Sequence, residues 1–125
     1  RFKDVAKRTM SYLGSNSLID NRYFLHGVLL VDHEMVNDPV HVTVVGAKDD
    51  PTAQALHRAA RTWPAVARRL DWWDKSEGPL PNEDVTYPEL DRAAAFVCTN
   101  RSCSLPIFEV DKVGATIARL SKPTE

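Results

Sequence analysis

The run Val40-His41-Val42-Thr43-Val44-Val45 constrains this chain more than any other stretch. It is β-branched except at His41, and Asp38-Pro39 before it and Gly46 after it close it off, so it reads as a strand. Both of its faces are apolar apart from His41 and Thr43. A strand of that kind needs cover on both sides and belongs at the centre of a sheet. Beyond Gly46 an acidic turn leads to Asp50-Pro51, which places an acceptor side chain at a helix cap and proline at the first helical position. Ala53, Leu56, Ala60 and Trp63 then recur on one stripe, and Pro64 stops the helix. Residues 69–73 form the next candidate strand, completing a βαβ unit, parallel and right-handed. Trp72 and Trp73 are adjacent on it and face opposite sides. One is expected in the core, the other on a surface that docks against a larger assembly.

Residues 93–108, AAAFVCTNRSCSLPIF, hold both cysteines. Residues 93–98 are small, β-branched or aromatic and end at a thiol. Thr99, Asn100, Arg101 and Ser102 are turn formers, and residues 103–108 become apolar again around Pro106. The pattern is strand, turn, short extended segment. If the two segments pair as a hairpin, Cys98 and Cys103 flank the turn and come within disulfide reach, about 4.4–6.8 Å between Cα atoms. If Cys103 instead begins a crossover, the thiols diverge, and both outcomes stand. A last helix follows with Val110, Val113, Ile117 and Leu120 on one stripe and Pro123 beyond its end. Residues 74–90, with Gly78-Pro79, Pro81 and Pro88 among acidic and small residues, read as an irregular surface loop.

At the N-terminal end, Phe2, Val5, Ala6, Thr9, Met10 and Leu13 recur at spacings of three and four, so residues 1–13 read as an amphipathic helix ended by Gly14. Residues 15–21 form a polar connector. Phe24, Leu25, Val28, Leu29 and Val36 give a second helix over 22–36, and the two helices read as an antiparallel hairpin. Their apolar stripes are wider than a two-helix contact can cover. The hairpin is therefore expected to pack on the α/β part or to mediate self-association, with homodimerisation favoured. The start at Arg1, inside a helical pattern, suggests a piece of a longer protein. The division is a helical hairpin over 1–38 and an α/β domain over 39–125.

FVCTNRSCSLPI, followed by a helix and preceded by HVTVVGAKDDPTAQAL, resembles the C-terminal end of the thioredoxin-domain protein family that includes spermatogenesis-associated protein 20 and the bacterial YyaL proteins. The pattern is a strand ending in Cys, four residues, a second Cys, two residues and Pro, which Cys98, Cys103 and Pro106 match. Upstream it is a strand ending in Gly, an acidic turn and a helix, matched by Val42 to Gly46, Asp49, Asp50 and Thr52 to Leu56. About half the chain is covered. The resemblance implies a parent with an N-terminal thioredoxin-like domain joined to an α/α barrel of the six-hairpin glycosidase type, whose last helices would be residues 1–38. It also implies a small thioredoxin-like βαβ-β-(β)-α domain lacking the middle helix; a plain α/β sandwich is the alternative. Family members commonly carry Asp-Pro where this chain has Glu109 and Val110, so the last helix is expected to be less well capped.

Sixteen basic residues against seventeen acidic ones leave a net charge of −1, which argues against general binding to nucleic acid or anionic membrane. The longest strongly apolar run, residues 28–31, is far short of the roughly 20 residues that span a bilayer. No secretory or transit peptide is recognisable. At 125 residues and 43% hydrophobic, the chain can bury a core of its own. Two cysteines do not make a disulfide scaffold, so a cytoplasmic protein with a reduced pair is expected.

The chemistry at hand is sparse. Redox-active thioredoxin motifs place C-x-x-C at a helix N-terminus, where the dipole activates the thiol. Here C-x-x-x-x-C sits beside a turn, so a structural role for Cys98 and Cys103 is preferred over dithiol catalysis. Zinc would need two further ligands distant in sequence. His26 and His33 can share a helix face, His41 lies on the central strand and His57 on an outer helix face; none has a Ser or Cys partner by spacing. The turn from Gly46 to Asp50 lacks a phosphate-binding signature, and Asp49 and Asp50 would repel a phosphate, so capping is preferred. Glu77, Glu83, Asp84, Glu89 and Asp91 invite a glycosidase comparison, yet they lie in a Pro-containing loop rather than on a rigid frame. No cofactor or metal is expected. The resulting expectation is a non-catalytic C-terminal structural and interaction module, partnered by the rest of its polypeptide or by itself. The alternative is a thiol redox or zinc module built on the two cysteines.

Overall fold

A computed structural model describes residues 2–21, 25–37, 39–64, 68–80, 85–99 and 102–121. In chain order its elements are α1 (Phe2–Leu13), α2 (Asn16–Ile19), α3 (His26–Val36), β1 (Val40–Val45), α4 (Pro51–Thr62), β2 (Arg68–Trp73), β3 (Ala94–Cys98) and α5 (Val110–Leu120). They form two compact units, residues 1–37 and 38–125. The sequence expectations for Arg1, Arg22, Phe24, Asp38, Pro81, Glu83, Asp84, Asn100, Arg101 and Pro123 fall outside the described residues.

In the first unit α1 ends as the sequence predicts, with Gly14 N–H donating to the Met10 carbonyl at 2.8 Å. The expected polar connector instead winds a helical turn, α2. Ser15 is extended at its cap, and the Ser15 carbonyl accepts from Leu18 and Ile19 N–H at 2.9 and 3.0 Å. Asn37 closes α3, its side-chain Nδ2 and backbone N–H both donating to the His33 carbonyl. None of the unit's described residues is buried, and Phe2, Leu29 and Val36 are exposed at 89%, 64% and 78%.

The second unit is an α/β fold built on a three-stranded mixed sheet of order β2-β1-β3. β1 is central, as its two apolar faces require. It pairs parallel with β2, Val42 facing Leu70 and Val44 facing Trp72, and antiparallel with β3, Val42 facing Val97 and Thr43 facing Phe96. Asp50 caps α4, its Oδ1 accepting from Thr52 N–H at 2.8 Å, and Pro51 opens the helix. Because side chains alternate along a strand, Val40, Val42 and Val44 meet Ala53, Leu56 and Ala60 of α4 and Val113 and Ile117 of α5. Burying each large apolar side chain there contributes about 1.5–3 kcal/mol. Val110 departs from the expected stripe, standing 43% exposed at the first position of α5, where Glu109 makes no side-chain cap bond.

The opposite sheet face carries Val45, Ala94 and Phe96 beneath Tyr87, with Leu80, Val85, Leu90 and Phe108 around them. The described residues of the segment expected to be a surface loop are irregular, with a 3-10 turn at Lys75–Glu77, but Leu80, Val85, Tyr87 and Leu90 serve as the cover of this face. That use also corrects the expectation for the tryptophans. Trp72 packs on the helix side with its Nε1–H on the Gly46 carbonyl at 3.0 Å, and Trp73 packs on the other side with its Nε1–H on the Gly78 carbonyl. Gly46 is required by close approach, since a Cβ there would lie 2.7 Å from the Cβ of Ala93.

Residues 103–108 run antiparallel beside β3 through two isolated bridges, Ala95 with Ile107 and Cys98 with Cys103, rather than as a strand. Pro106, between them, has no N–H to offer a ladder.

Candidate functional site

Register places the polar exceptions of β1 together on the face away from α4 and α5. His41 and Thr43 share that face with Arg69 and Asp71 of β2 and with Phe96 and Cys98 of β3. Tyr87 reaches down from the covering segment and its hydroxyl donates to Thr43 Oγ1 at 2.7 Å. Thr43 Oγ1 lies 3.1 Å from His41 Nε2, which lies 2.8 Å from Asp71 Oδ2. Arg69 Nε completes the chain on the same carboxylate oxygen at 3.0 Å. An ionised Asp71 can only accept, so the proton rests on His41 Nε2, shared between the carboxylate and the threonine oxygen. Thr43 is fully buried and Tyr87 nearly so. Burial pushes the Tyr87 hydroxyl above the ordinary tyrosine pKa, outweighing the hydrogen bond to Thr43, which acts the other way.

At the end of this row the two cysteines meet. The segments pair as a hairpin, and Cys98 and Cys103 form a disulfide with Cα atoms 4.0 Å apart, where a reduced pair was expected. An antiparallel bridge sets the two residues directly opposite one another, which local sequence alone left open. Cys98 is buried at 3% exposure and Cys103 is exposed. Since each sulfur is bonded to the other, neither is available as a thiolate ligand for zinc. Cys98 faces His41 in register, so a histidine without a cysteine neighbour by sequence spacing has one across the sheet. An open groove of about 460 Å³ runs beside Cys103 between residues 102–107 and the Lys112, Thr116 and Arg119 side of α5. Pro106 lines it.

The other candidates remain apart. In the turn after Gly46, Asp50 caps α4, and Asp74 Oδ2 accepts from Lys48 N–H at 2.9 Å while Lys48 Nζ pairs with Glu77. The Ser76 hydroxyl, then the Lys48 and Ser76 N–H groups, hold the Asp74 carboxyl below its usual range. Glu89 reaches Lys75 at 3.5 Å, and Asp91 is exposed. His57 is partly buried, its ring 4.6 Å from that of Trp72, and burial followed by the Arg61 charge lowers its pKa. His33 Nδ1 contacts Asn37 at 3.1 Å, and His26 stands in the same helix of the first unit. Among the described residues no three His, Cys, Asp or Glu side chains cluster as a metal site, and no helix is long and apolar enough to cross a membrane.

Sequence reasoning missed Asp71, Arg69, Thr43 and Tyr87 as partners of His41. The available signal was the pair of polar residues, His41 and Thr43, in an otherwise apolar central strand, since buried polar groups require hydrogen-bonding partners. No family model, curated protein or solved structure matches this chain.

Proposed function

We propose that this chain is a non-catalytic structural and interaction module of a multidomain thioredoxin-domain protein, with its first 37 residues as the interaction element. The observation that carries this reading is the state of that unit. Its described residues include no buried side chain, while both long helices expose large apolar groups such as Phe2, Val5, Leu29, Leu30 and Val36. Helices of 12 and 11 residues are marginal in water without tertiary packing. A groove of about 480 Å³ between α1 and α3, lined by Ala6, Met10, Leu13, Val28 and Val31, offers an apolar seat. In the isolated chain its occupant is a second copy, which presents the same complementary surface.

The thioredoxin-like part of the proposal draws support from topology: a parallel β1–β2 pair joined by α4, an antiparallel β3 on the other side of β1, a bridged segment beyond it, and α4 and α5 on one face. No C-x-x-C stands at the start of α4, where that arrangement would activate a thiol. Sedimentation across a wide concentration range should show a dimer that dissociates on dilution and is weakened by Leu29→Glu. A monomer at the highest concentration refutes self-association. Sustained reduction of a disulfide substrate by this chain, abolished by Cys98→Ser, refutes the non-catalytic reading.

A further inference from the structure

The disulfide is asymmetric in its surroundings. Cys103 stands exposed at the groove beside α5, whereas Cys98 is buried in β3 opposite His41. The hairpin does not depend on the sulfur bond alone. Thr99 N–H donates to the Ser102 carbonyl at 2.9 Å, Ser104 N–H to the Val97 carbonyl at 2.8 Å, and Val97 N–H to Ser104 Oγ at 3.1 Å. Ala95 and Ile107 exchange both backbone bonds a few residues further along. These contacts join residues 95–99 to residues 102–107 independently of the sulfur bond. Lys112, Arg119 and Glu109 line the groove by which a thiolate would approach; Lys112 pairs with Glu109 at 3.4 Å, and Arg119 leaves the lining with a positive balance that favours the attacking anion.

We propose that the disulfide between Cys98 and Cys103 is an exchangeable site, reduced in the folded chain by an external dithiol that attacks Cys103 and expels Cys98 beside His41. This goes beyond a structural module, since it makes the module's state depend on the thiol poise around it. A thiolate of the dithiol bonds to Cys103 Sγ as the bond between the two cysteine sulfurs breaks, and its electron pair leaves on Cys98 Sγ. Residues directly opposite on antiparallel strands have Cβ atoms about 4.5–5.5 Å apart, so Cys98 is expelled next to His41, whose Nε2 proton is held by Asp71 and Thr43, and the departing Cys98 sulfur takes its proton from solvent. Around that ring stand Asp71 and Arg69 from β2, Thr43 from β1 and Tyr87 from the covering segment. The second thiolate of the dithiol then attacks its own sulfur in the mixed disulfide, and Cys103 departs and takes a proton from solvent. Two electrons and two protons have moved; the dithiol is oxidised and both cysteines are reduced.

Reduced dithiothreitol tests this on the full chain under native conditions, with alkylation and mass measurement over time and tryptophan fluorescence reporting the sheet. Cys103 should become alkylated with the fluorescence unchanged, and Cys98 only once denaturant is added; a disulfide that survives until denaturant unfolds the sheet overturns the proposal. With oxidised glutathione as probe, Cys103 in Cys98→Ser should form the mixed disulfide about tenfold faster than Cys98 in Cys103→Ser, following exposure. Equal or reversed rates overturn the assigned direction of attack.

Discussion

Replacing Thr43 with valine tests whether the polar row on the second sheet face acts as a unit. Thr43 is fully buried, and its hydroxyl receives the Tyr87 O–H at 2.7 Å and contacts His41 Nε2 at 3.1 Å. Valine has nearly the same shape, so packing is retained and the loss is confined to hydrogen bonding. His41 keeps its bond to Asp71, but the Tyr87 hydroxyl loses its acceptor in a site with little water. Leaving a buried donor unsatisfied costs about 1–3 kcal/mol. Tyr87→Phe should cost less, about 0.5–1.5 kcal/mol, because Thr43 still has His41. In the double variant the two remaining groups are apolar and matched. It should therefore be more stable than the sum of the single losses implies, by about 1 kcal/mol or more of coupling. Urea unfolding followed by tryptophan fluorescence is the suitable assay, since Trp63, Trp72 and Trp73 all lie in the second unit. At a slope near 1–2 kcal/mol per M, Thr43→Val should move the midpoint by about 1 M. Losses that add within about 0.3 kcal/mol, or a Thr43→Val variant as stable as the parent, would show that the row is a set of independent contacts.

Gly46→Ala should destabilise the same unit by about 1–3 kcal/mol, because the new methyl would lie 2.7 Å from the Ala93 side chain; an unchanged urea midpoint would contradict that packing. His57, lowered by burial and by Arg61, is charged less readily folded than unfolded. Its contribution to stability is therefore complete above the ordinary histidine pKa and is lost as pH falls through that value toward the lower folded one. His57→Gln should flatten this part of the stability profile, and an identical slope in the variant counts against the assignment.

The first unit shows where local periodicity stops being informative. α1 ends at Leu13 as its three-and-four spacing predicts, and Gly14 closes it. The connector became α2 because Ser15 could adopt an extended cap and lend its carbonyl to Leu18 and Ile19. Polarity of the stretch, which suggested a link, does not report that geometry. In the covering segment, prolines and acids correctly implied irregular backbone, yet Tyr87 became buried. Irregular backbone and solvent exposure are separate properties, and only the need to cover Phe96 and Val45 joined that segment to the sheet.

What the sequence determined by itself is local and periodic. A β-branched run apolar on both faces had to be a central strand, Asp50-Pro51 had to open a helix, and Val113 and Ile117 had to face inward. Tertiary structure decided everything that depends on register between distant segments. Asp71 reached His41 because parallel pairing sets Thr43 against Asp71 and His41 against Arg69, and Cys98 reached both His41 and Cys103 because β3 runs antiparallel to β1 and bridges antiparallel to Cys103. A shift of one residue in either pairing would turn those side chains to the opposite face. Strand register is set by the packing of the whole core, so the residues that share a site can be named from sequence only singly, and their meeting belongs to the fold.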